Sequence, residues 1–340
     1  MLALDETMAL TVVEMSQVGE ARRAASALAV RLGFDETGCG KVALVVTEAA
    51  TNLVKHAREG LIILRPLQDG GPRGVEVLAL DKGPGMANLA NCLRDGYSTV
   101  GTAGTGLGAI GRQAGVADIF SLPGSGTALL VRLWTASPWP GAHAFNLGVV
   151  SLPIAGESVC GDAWAVAEGD SGCMFLVADG LGHGLLAAEA SRAAVRAFHA
   201  HPHLAPSALL QVIHESLRLT RGAAVAAARV DLGTRVVHFA GVGNIAGSVL
   251  MEGDSRSMVS HNGTVGHEAR KFREFAYPFP PGATLVMHSD GLGSRWNLNS
   301  YPGLAGKDPS LIAGVLFRDF QRGRDDVTIL VARPTGGTAA

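Results

Sequence analysis

Four short segments in the second half of the chain place aspartates directly beside apolar runs. They are Cys160-Gly161-Asp162, Ala178-Asp179-Gly180, Ser289-Asp290-Gly291 and Asp325-Asp326-Val327. Acids at strand ends can meet on one rim of a sheet, and such oxygen-rich clusters suit Mg²⁺ or Mn²⁺. Two ions about 3.5–4 Å apart bridge a hydroxide and polarise a phosphate. A single Asp-Gly pair usually marks a turn, but four such segments predict a two-metal centre, which the backbone carbonyl of Gly180 could approach.

Three segments in the first half could together form a nucleotide pocket. Glu48, Asn52 and His56 recur at intervals of four, which puts them on one face of a helix, where an acid and an amide can activate a hydroxyl and hold a divalent cation. Asp81-Lys-Gly83-Pro-Gly85 follows an apolar strand, and its carboxylate could accept a hydrogen bond from adenine. The run Gly101-Thr-Ala-Gly104-Thr-Gly106-Leu-Gly108 opens a helix and offers N–H groups to phosphates.

The composition limits the classes to which the protein can belong. Its 340 residues include 28 Lys and Arg against 30 Asp and Glu, a formal charge of −2, so we expect no partner nucleic acid and no membrane. No apolar run approaches the ~18 residues of a membrane span, and no secretory signal is visible. Four scattered cysteines without a CxxC pair fit a reducing compartment. We therefore expect a cytoplasmic protein.

Hydrophobic periodicity predicts the elements that must position these residues. In the first half we expect helices at 18–32, 41–57 and 106–114 and strands at 61–67, 75–79 and 128–133. In the second half we expect strands at 145–151, 163–166, 174–178, 223–230, 236–240, 283–287 and 327–332, with helices at 185–200 and 206–219. A proline- and glycine-containing segment separates the halves. The sequence thus predicts a two-domain α+β protein with domains at 1–137 and 143–335, a linker at 138–142 and a flexible tail at 336–340.

The first half resembles the GHKL ATP-binding fold, and more closely the RsbT and RsbW group of anti-sigma-factor serine kinases. The run Leu93-Arg-Asp-Gly-Tyr-Ser-Thr99 before the glycine-rich loop is especially similar, and the resemblance covers about residues 10–134. It implies an α/β sandwich with a mixed sheet covered by helices. It also implies that Glu48 is the general base, that Asn52 ligates Mg²⁺ and that Asp81 recognises the adenine of ATP. The glycines that would shape the lid and phosphate loop are Gly83, Gly85, Gly104, Gly106 and Gly108. Arg112 could offer charge to the γ-phosphate, and His56 is as readily structural as functional.

The second half resembles the SpoIIE and RsbX branch of the metal-dependent, type 2C serine/threonine phosphatases. The run Val177-Ala-Asp-Gly-Leu-Gly-His-Gly184 carries this resemblance, Ser289-Asp-Gly-Leu and Asp325-Asp-Val-Thr match later motifs, and about residues 143–333 are covered. It implies an α-β-β-α sandwich that binds two Mn²⁺ or Mg²⁺ ions. Asp162 would bridge both ions, Asp179 and the Gly180 carbonyl would hold the first, and Asp290 and Asp325 would hold the second. A metal-bound hydroxide would attack phosphorus in line. Two roles stay open: Asp326 as the neighbour that orients Asp325, and His183 as a general acid or a helix cap.

Together the resemblances imply a bifunctional regulator of partner switching. A serine/threonine kinase and a phosphatase would act on STAS-domain proteins of an anti-sigma or stressosome-like pathway, with a sigma factor or downstream regulator as a further partner and a homodimer also allowed. One alternative is a phosphatase whose first half only senses ATP or binds a partner, although a sensor has no need of the base Glu48. Another is an anti-sigma protein that sequesters a sigma factor. Decay of both sites into a scaffold conflicts with the full set of acids.

Overall fold

The computed structural model describes residues 7–68, 71–87, 106–136, 143–169, 171–251, 253–269 and 271–335. The chain divides into two compact units, which confirms the predicted two-domain α+β organisation. Unit 1 consists of Met1–Gly141 and Tyr301–Arg318, and unit 2 consists of Ala142–Ser300 and Asp319–Ala340. Unit 1 therefore includes a stretch of the second half of the chain that sequence analysis does not set apart.

Unit 1 is built on a five-stranded antiparallel sheet in the order β1-β2-β3-β5-β4. The strands are β1 (Met8–Thr11), β2 (Leu61–Leu67), β3 (Gly74–Leu80), β4 (Val116–Ser121) and β5 (Thr127–Trp134). Three helices, α1 (Met15–Leu32), α2 (Glu36–His56) and α3 (Gly106–Gln113), contribute to one apolar core together with alternate strand residues such as Leu64, Val77 and Val131. Because side chains alternate along a strand, the helices cover one face of this sheet.

The helices α1 and α2 begin earlier than apolar periodicity predicts. The carboxylate of Asp35 accepts a hydrogen bond from the backbone N–H of Gly38 at 2.7 Å and so caps the start of α2. Gly33, with φ of +87°, ends α1 in the left-handed conformation that glycine adopts readily. The first turns of both helices are largely exposed. Apolar spacing therefore marks only the buried parts of these helices, at 18–32 and 41–57.

Unit 2 contains two five-stranded sheets. The first has the order β13-β10-β9-β8-β7 and the second the order β12-β11-β14-β15-β6. Their strands are β6 (Phe145–Leu152), β7 (Asp162–Gly169), β8 (Gly172–Gly180), β9 (Ala223–Asp231), β10 (Val236–Val242), β11 (Ala246–Met251), β12 (Asp254–Met258), β13 (Phe275–Pro278), β14 (Thr284–His288) and β15 (Val327–Pro334). One apolar core joins residues of both sheets, including Phe175, Phe239 and Leu330. A second core joins the first sheet to helices α4 (Leu185–Ala200) and α5 (Pro206–Ser216).

One further helix, α6 (Pro309–Phe320), was not predicted from the sequence. All of its residues from Pro309 to Arg318 are buried, so it lacks the polar stripe that makes an amphipathic helix recognisable. The short strands β1, β4, β11, β12 and β13 were also not predicted, because runs of four to six residues carry little periodic signal. Among the described residues, no helix is long and apolar enough to cross a membrane.

Candidate active sites

Two of the predicted metal ligands of unit 2 face each other across a pair of strands. Asp162 is the first residue of β7 and Asp179 the last but one of β8, and the antiparallel register pairs them directly. The next residue, Gly180, donates its N–H to the carbonyl of Gly161 at 3.2 Å. It also lies against α4, since a Cβ at this position would be 2.0 Å from the carbonyl oxygen of Ala187. Strand pairing thus fixes the positions of Asp162 and Asp179. The lack of a side chain at Gly180 allows its close contact with α4.

The second sheet of unit 2 brings Ser289 and Asp290 to the same site. The hydroxyl of Ser289 donates to Asp162 Oδ2 at 2.7 Å and accepts from the backbone N–H of Thr328 at 2.9 Å. The amide Nδ2 of Asn244, in the turn between β10 and β11, donates to Asp290 Oδ2 at 2.7 Å. Neither Ser289 nor Asn244 has a role predicted from the sequence. Their local signals, a hydroxyl beside Asp290 and an amide in a glycine-rich turn, are too common to be specific.

The acids of this site are close enough to shift one another's pKa. Burial raises the pKa of Asp179 far above its usual value, and the negative charges of Asp162, Asp290 and Asp325 raise it further. Burial also raises the pKa of Asp162, although the hydrogen bond from Ser289 opposes that effect. Ionised carboxylates in a poorly solvated cluster repel one another. A divalent cation among them would relieve that repulsion.

Two of these acids have an oxygen atom that remains available. Asp162 Oδ1 and Asp290 Oδ1 are buried and have no hydrogen-bond partner among the residues that the structure describes. A buried acceptor without a partner is costly unless an ion or water binds to it. In the same described ranges, no three acidic, His or Cys side chains are already gathered around one point. Mg²⁺ needs only one or two carboxylates because it keeps several waters, so the available oxygens fit hard divalent cations.

The carboxylate of Asp326 holds the backbone instead of facing the available oxygens. Its Oδ1 accepts from the N–H of Ile154 and its Oδ2 from the N–H of Gly161, both at 2.8 Å, and the residue is only 2% exposed. Its own backbone N–H donates to Asp325 Oδ1 at 2.9 Å. This arrangement favours Asp325 as the metal ligand and Asp326 as the neighbour that orients it.

A histidine–glutamate pair lies at the start of α4. His183 Nδ1 is 2.7 Å from Glu157 Oε1, in the segment that connects β6 to β7. Gly184, with φ of +74°, is the N-cap residue of α4. The sequence singles out His183 but not its partner Glu157, because 26 residues separate them. Both the general-acid and the capping interpretation of His183 remain predictions.

In unit 1, α2 presents two of the residues predicted to bind and use ATP. Glu48 and Asn52 are one helical turn apart on α2, and both are half-buried. Neither side chain has a hydrogen-bond partner among the described residues. The helix α3 contributes Ile110 to the same core as α2. Gly106 and Gly108 lie in the first turn of α3, whereas Gly104 lies outside the described residues.

Asp81 directly follows β3 and is 8% exposed. Its Oδ1 accepts from the N–H of Gly83 at 2.6 Å, and its own N–H donates to the carbonyl of Thr127 at 2.9 Å. Burial raises the pKa of Asp81, and the Gly83 hydrogen bond opposes that shift. The backbone around Asp81 is therefore held rigidly by the neighbouring strand and turn.

Close backbone contacts explain the glycines around Asp81. A Cβ on Gly83 would lie 3.0 Å from the carbonyl oxygen of His56, at the end of α2. Gly85 has φ of +68°, and a Cβ there would lie 2.2 Å from the carbonyl oxygen of Leu122. Gly126, which sequence analysis did not single out, has φ of +81°, and its Cβ would lie 2.0 Å from the carbonyl oxygen of Asp81. The loop after Asp81 and the β4–β5 turn thus fit together only through glycines.

Comparison with protein families matches both halves of the chain. Residues 12–132 match the histidine kinase-like ATPase domain, and residues 169–335 match the stage II sporulation protein E (SpoIIE) family. These ranges contain most of the residues discussed for each unit, whereas Ile154, Glu157, Gly161 and Asp162 lie before the second range.

Two curated proteins of Bacillus subtilis (strain 168) are similar to different halves. The serine/threonine-protein kinase RsbT is 30% identical over 114 residues, which is 34% of this chain and 86% of RsbT. The phosphoserine phosphatase RsbX is 25% identical over 145 residues, which is 42% of this chain and 73% of RsbX. A chain solved in a study of the bacterial stressosome is 26% identical with a TM-score of 0.53, and the match covers 56% of this chain and all of that one.

Proposed function

Because the chain belongs to the histidine kinase-like ATPase family in its first half and to the SpoIIE family in its second, we propose that it is a bifunctional regulator. Unit 1 transfers phosphate from ATP to a serine or threonine of a protein. Unit 2 hydrolyses phosphoserine or phosphothreonine with two Mn²⁺ or Mg²⁺ ions. The substrates are STAS-domain proteins of a partner-switching pathway, a proposal supported by the similarity to RsbT and RsbX.

The phosphatase assignment depends on the buried, unpartnered oxygens of Asp162 and Asp290 within a cluster of acids. Asp162 and Asp179, with the carbonyl of Gly180, would hold one cation, and Asp162 with Asp290 and Asp325 would hold the other. When bound, the cations supply Lewis-acid activation of the phosphate and of water. The chain's own residues orient the ligands, through the hydrogen bond that Ser289 donates to Asp162.

Further hydrogen bonds restrict the movement of the proposed metal ligands. Asn244 holds one oxygen of Asp290 and leaves the other available. Asp326 fixes the segment before Asp162 through two backbone N–H groups. Because hydrolysis on paired cations requires ligands held in one geometry, these hydrogen bonds are part of the proposed machinery.

The kinase assignment depends on the placement of Glu48, Asn52 and Asp81. Glu48 takes the proton of the substrate hydroxyl, since it is an acid with no partner among the described residues. Asn52, one turn along α2, binds Mg²⁺ through its amide oxygen. Asp81, whose Oδ1 accepts from the N–H of Gly83, accepts a hydrogen bond from the exocyclic amine of adenine through its second oxygen. The start of α3 offers backbone N–H groups to the phosphates.

The decisive experiment separates the two activities with one variant. The chain carrying Asp290→Ala is incubated with a STAS-domain protein from the same genome, γ-labelled ATP and Mg²⁺. We expect label on the STAS protein, because phosphotransfer continues while hydrolysis is abolished. Adding wild-type chain and Mn²⁺ should then remove the label. No label despite normal ATP binding would indicate that unit 1 is a sensor or docking module and not a kinase.

Matched variants test the residue assignments. Glu48→Ala should abolish label transfer while ATP still binds, and Glu20→Ala, an exposed acid on α1, should change neither. Asp254→Ala, an exposed acid on β12 of unit 2, should leave hydrolysis unchanged in contrast to Asp290→Ala. Capture of a sigma factor, with no label on any STAS protein, would favour a sequestering anti-sigma protein instead.

A further inference from the structure

The chain leaves unit 2 and returns to it between two of the predicted metal ligands. Residues 301–318 belong to unit 1, whereas Asp290 precedes them and Asp325 follows them in unit 2. We call residues 301–318 the docking segment. The docking segment is therefore connected to both of these acids through short stretches of unit 2.

Hydrogen bonds within unit 2 join the two stretches of chain that flank the docking segment. The N–H of Gly293 donates to the carbonyl of Phe320 at 2.8 Å, and that of Arg322 donates to the carbonyl of Gly291 at 2.9 Å. Leu292 and Gln321 form an antiparallel bridge between them. We call residues 291–293 and 320–322 the stem. The stem begins at the residue after Asp290 and ends three residues before Asp325.

The stem is packed tightly beside the acids. A Cβ on Gly291 would lie 2.0 Å from the carbonyl oxygen of Asp326, so no side chain could separate the stem from Asp326. Asp326 in turn donates its N–H to Asp325 and holds the segment before Asp162. Because close-packed groups move together, a shift of the stem moves the ligand geometry.

The middle of the docking segment, around Asp308 and Ser310, is bound to the rest of unit 1 by a largely buried network of charges. The guanidinium of Arg132 on β5 donates to both oxygens of Asp308, at 2.9 and 3.0 Å, and to Glu76 on β3 at 2.7 Å. The hydroxyl of Ser310 donates to Glu76 at 2.8 Å, and Arg65 donates to it at 2.9 Å. Bidentate arginine–carboxylate pairs are strong and geometrically specific. The segment therefore has one well-defined docked position.

The end of the docking segment contacts the residue predicted to bind adenine. Arg318, on α6, donates Nη1 to the carbonyl oxygen of Asp81 at 3.0 Å and is 6% exposed. Gly314, one turn earlier, packs so closely on β3 that a Cβ there would lie 3.0 Å from Leu80 Cδ2. From Arg318 the helix α6 continues without a break to Phe320, which is part of the stem.

We propose that nucleotide binding in unit 1 changes the metal affinity of unit 2 through the docking segment, so that the phosphatase responds to ATP. This inference rests on the proposed function, because it requires that Asp81 binds nucleotide and that Asp290 and Asp325 bind metal. Bound ATP changes the conformation of the loop of Asp81, whose carbonyl oxygen accepts a hydrogen bond from Arg318. The resulting shift of Arg318 moves α6 and, with it, the stem. By linkage, metal binding must change nucleotide affinity by the same factor.

The test uses the full chain, Mn²⁺ and the non-hydrolysable ATP analogue AMP-PNP, with free Mn²⁺ set at each point of the titration by a metal buffer. The Mn²⁺ concentration for half-maximal hydrolysis of p-nitrophenyl phosphate is measured with and without AMP-PNP. We expect it to change by about five-fold or more, which is the range of ordinary allosteric coupling. In an independent binding measurement at one saturating Mn²⁺ concentration, which supplies the cation at Asn52 in both proteins, the Kd of AMP-PNP should differ by the same factor between the wild type and Asp290→Ala, whose unit 2 lacks a proposed metal ligand.

Variants of the docking segment should abolish the coupling and keep both sites. Arg318→Met and Asp308→Asn should bring the factor close to one, while each protein still binds AMP-PNP and is active at saturating Mn²⁺. If either fails to fold, Ser310→Ala removes one hydroxyl from the network and should lower the factor. Arg256→Met, an exposed arginine on β12, is the matched control and should keep the wild-type factor.

The outcomes distinguish this inference from the proposed function. A factor of one in the wild type, with both ligands bound, would overturn the inference and leave both activities standing. Full coupling in Arg318→Met and Asp308→Asn would also overturn it, because the docking segment would then not carry the effect. Loss of nucleotide binding or of Mn²⁺-dependent hydrolysis in the wild type would overturn the proposed function itself.

Discussion

Replacing Glu76 by glutamine should destabilise unit 1 and remove part of its pH dependence. Glu76 is 1% exposed, and burial alone would raise the pKa of its carboxyl. Arg65 and Arg132 outweigh burial and lower the pKa from 4.5 to about 2. That difference corresponds to about 3 kcal/mol of stability at neutral pH. Breaking a buried ion pair from one side costs a similar 3–5 kcal/mol or so, because it leaves buried charge without a partner.

The sign of the pH effect follows from the lowered pKa. The unfolded chain takes up a proton on Glu76 at a higher pH than the folded chain does, so the stabilisation is complete above pH 4.5 and is lost as the pH falls towards 2. In that window the wild type should lose about 1.4 kcal/mol per pH unit from this group. Glu76→Gln should lack this component, so the difference between the two proteins should shrink on acidification.

Urea-induced unfolding at several pH values measures both effects. Trp134, at the end of β5, reports on unit 1 once the other three tryptophans, Trp139, Trp164 and Trp296, are replaced by phenylalanine. Glu59→Gln is the control, because Glu59 forms an exposed ion pair with Lys82, for which we expect about 0–1 kcal/mol. A cost below about 1 kcal/mol for Glu76→Gln at pH 7, or parallel pH curves for wild type and variant, would refute the reasoning.

Three other predictions concern unit 2. Burial and neighbouring acids raise the pKa of Asp179, so the unfolded chain loses this proton first and the metal-free protein becomes less stable as the pH rises above 3.8. Asp179→Asn should therefore raise the Tm of metal-free protein at pH 7.5 while abolishing hydrolysis, and an unchanged or lower Tm would contradict this. Gly180→Ala places a Cβ 2.0 Å from the carbonyl oxygen of Ala187 and should abolish phosphatase activity, whereas Gly169→Ala, with a nearest contact of 3.7 Å, should retain it in the same assay. Burial, followed by the charges of nearby aspartates, raises the pKa of the Cys160 thiol. Cys160 should therefore resist iodoacetamide at pH 7.5 in folded protein and react after denaturation, as mass spectrometry of its peptide can show. Fast labelling of the folded protein would contradict the raised pKa.

Much of the candidate metal site has parts that are local in the sequence, and its assignment as a metal site stays a prediction. Asp162 and Asp179 are joined by one hairpin, β7 to β8, whose antiparallel register pairs them. Asp290, in an Asp-Gly pair, follows an apolar run, and Asp325, in an Asp-Asp pair, precedes one, so their positions at strand ends could also be predicted. Short-range patterns of this kind report which strand end an acid occupies.

The partners of those acids could not be predicted, because they come from distant parts of the chain. Ser289 reaches Asp162 across 127 residues, and Asn244 reaches Asp290 across 46. A serine or an asparagine in a turn has many uses, and only the packing of the two sheets selects one. The same holds for Asp326, whose two oxygens accept from backbone N–H groups 172 and 165 residues away; its role in orienting Asp325 stays a prediction.

By itself the sequence determined the residue types and the local geometry of both sites: acids at strand ends in unit 2, Glu48 and Asn52 on one helix face, and glycines beside Asp81. Only the tertiary structure decided that residues 301–318 belong to unit 1. The physical reason is that α6 is apolar on nearly all sides, so its sequence has no polar stripe from which the surface it packs against could be predicted. Its position is set by Arg132, Asp308 and Glu76, charges far apart in the chain that are stable when buried only if they meet.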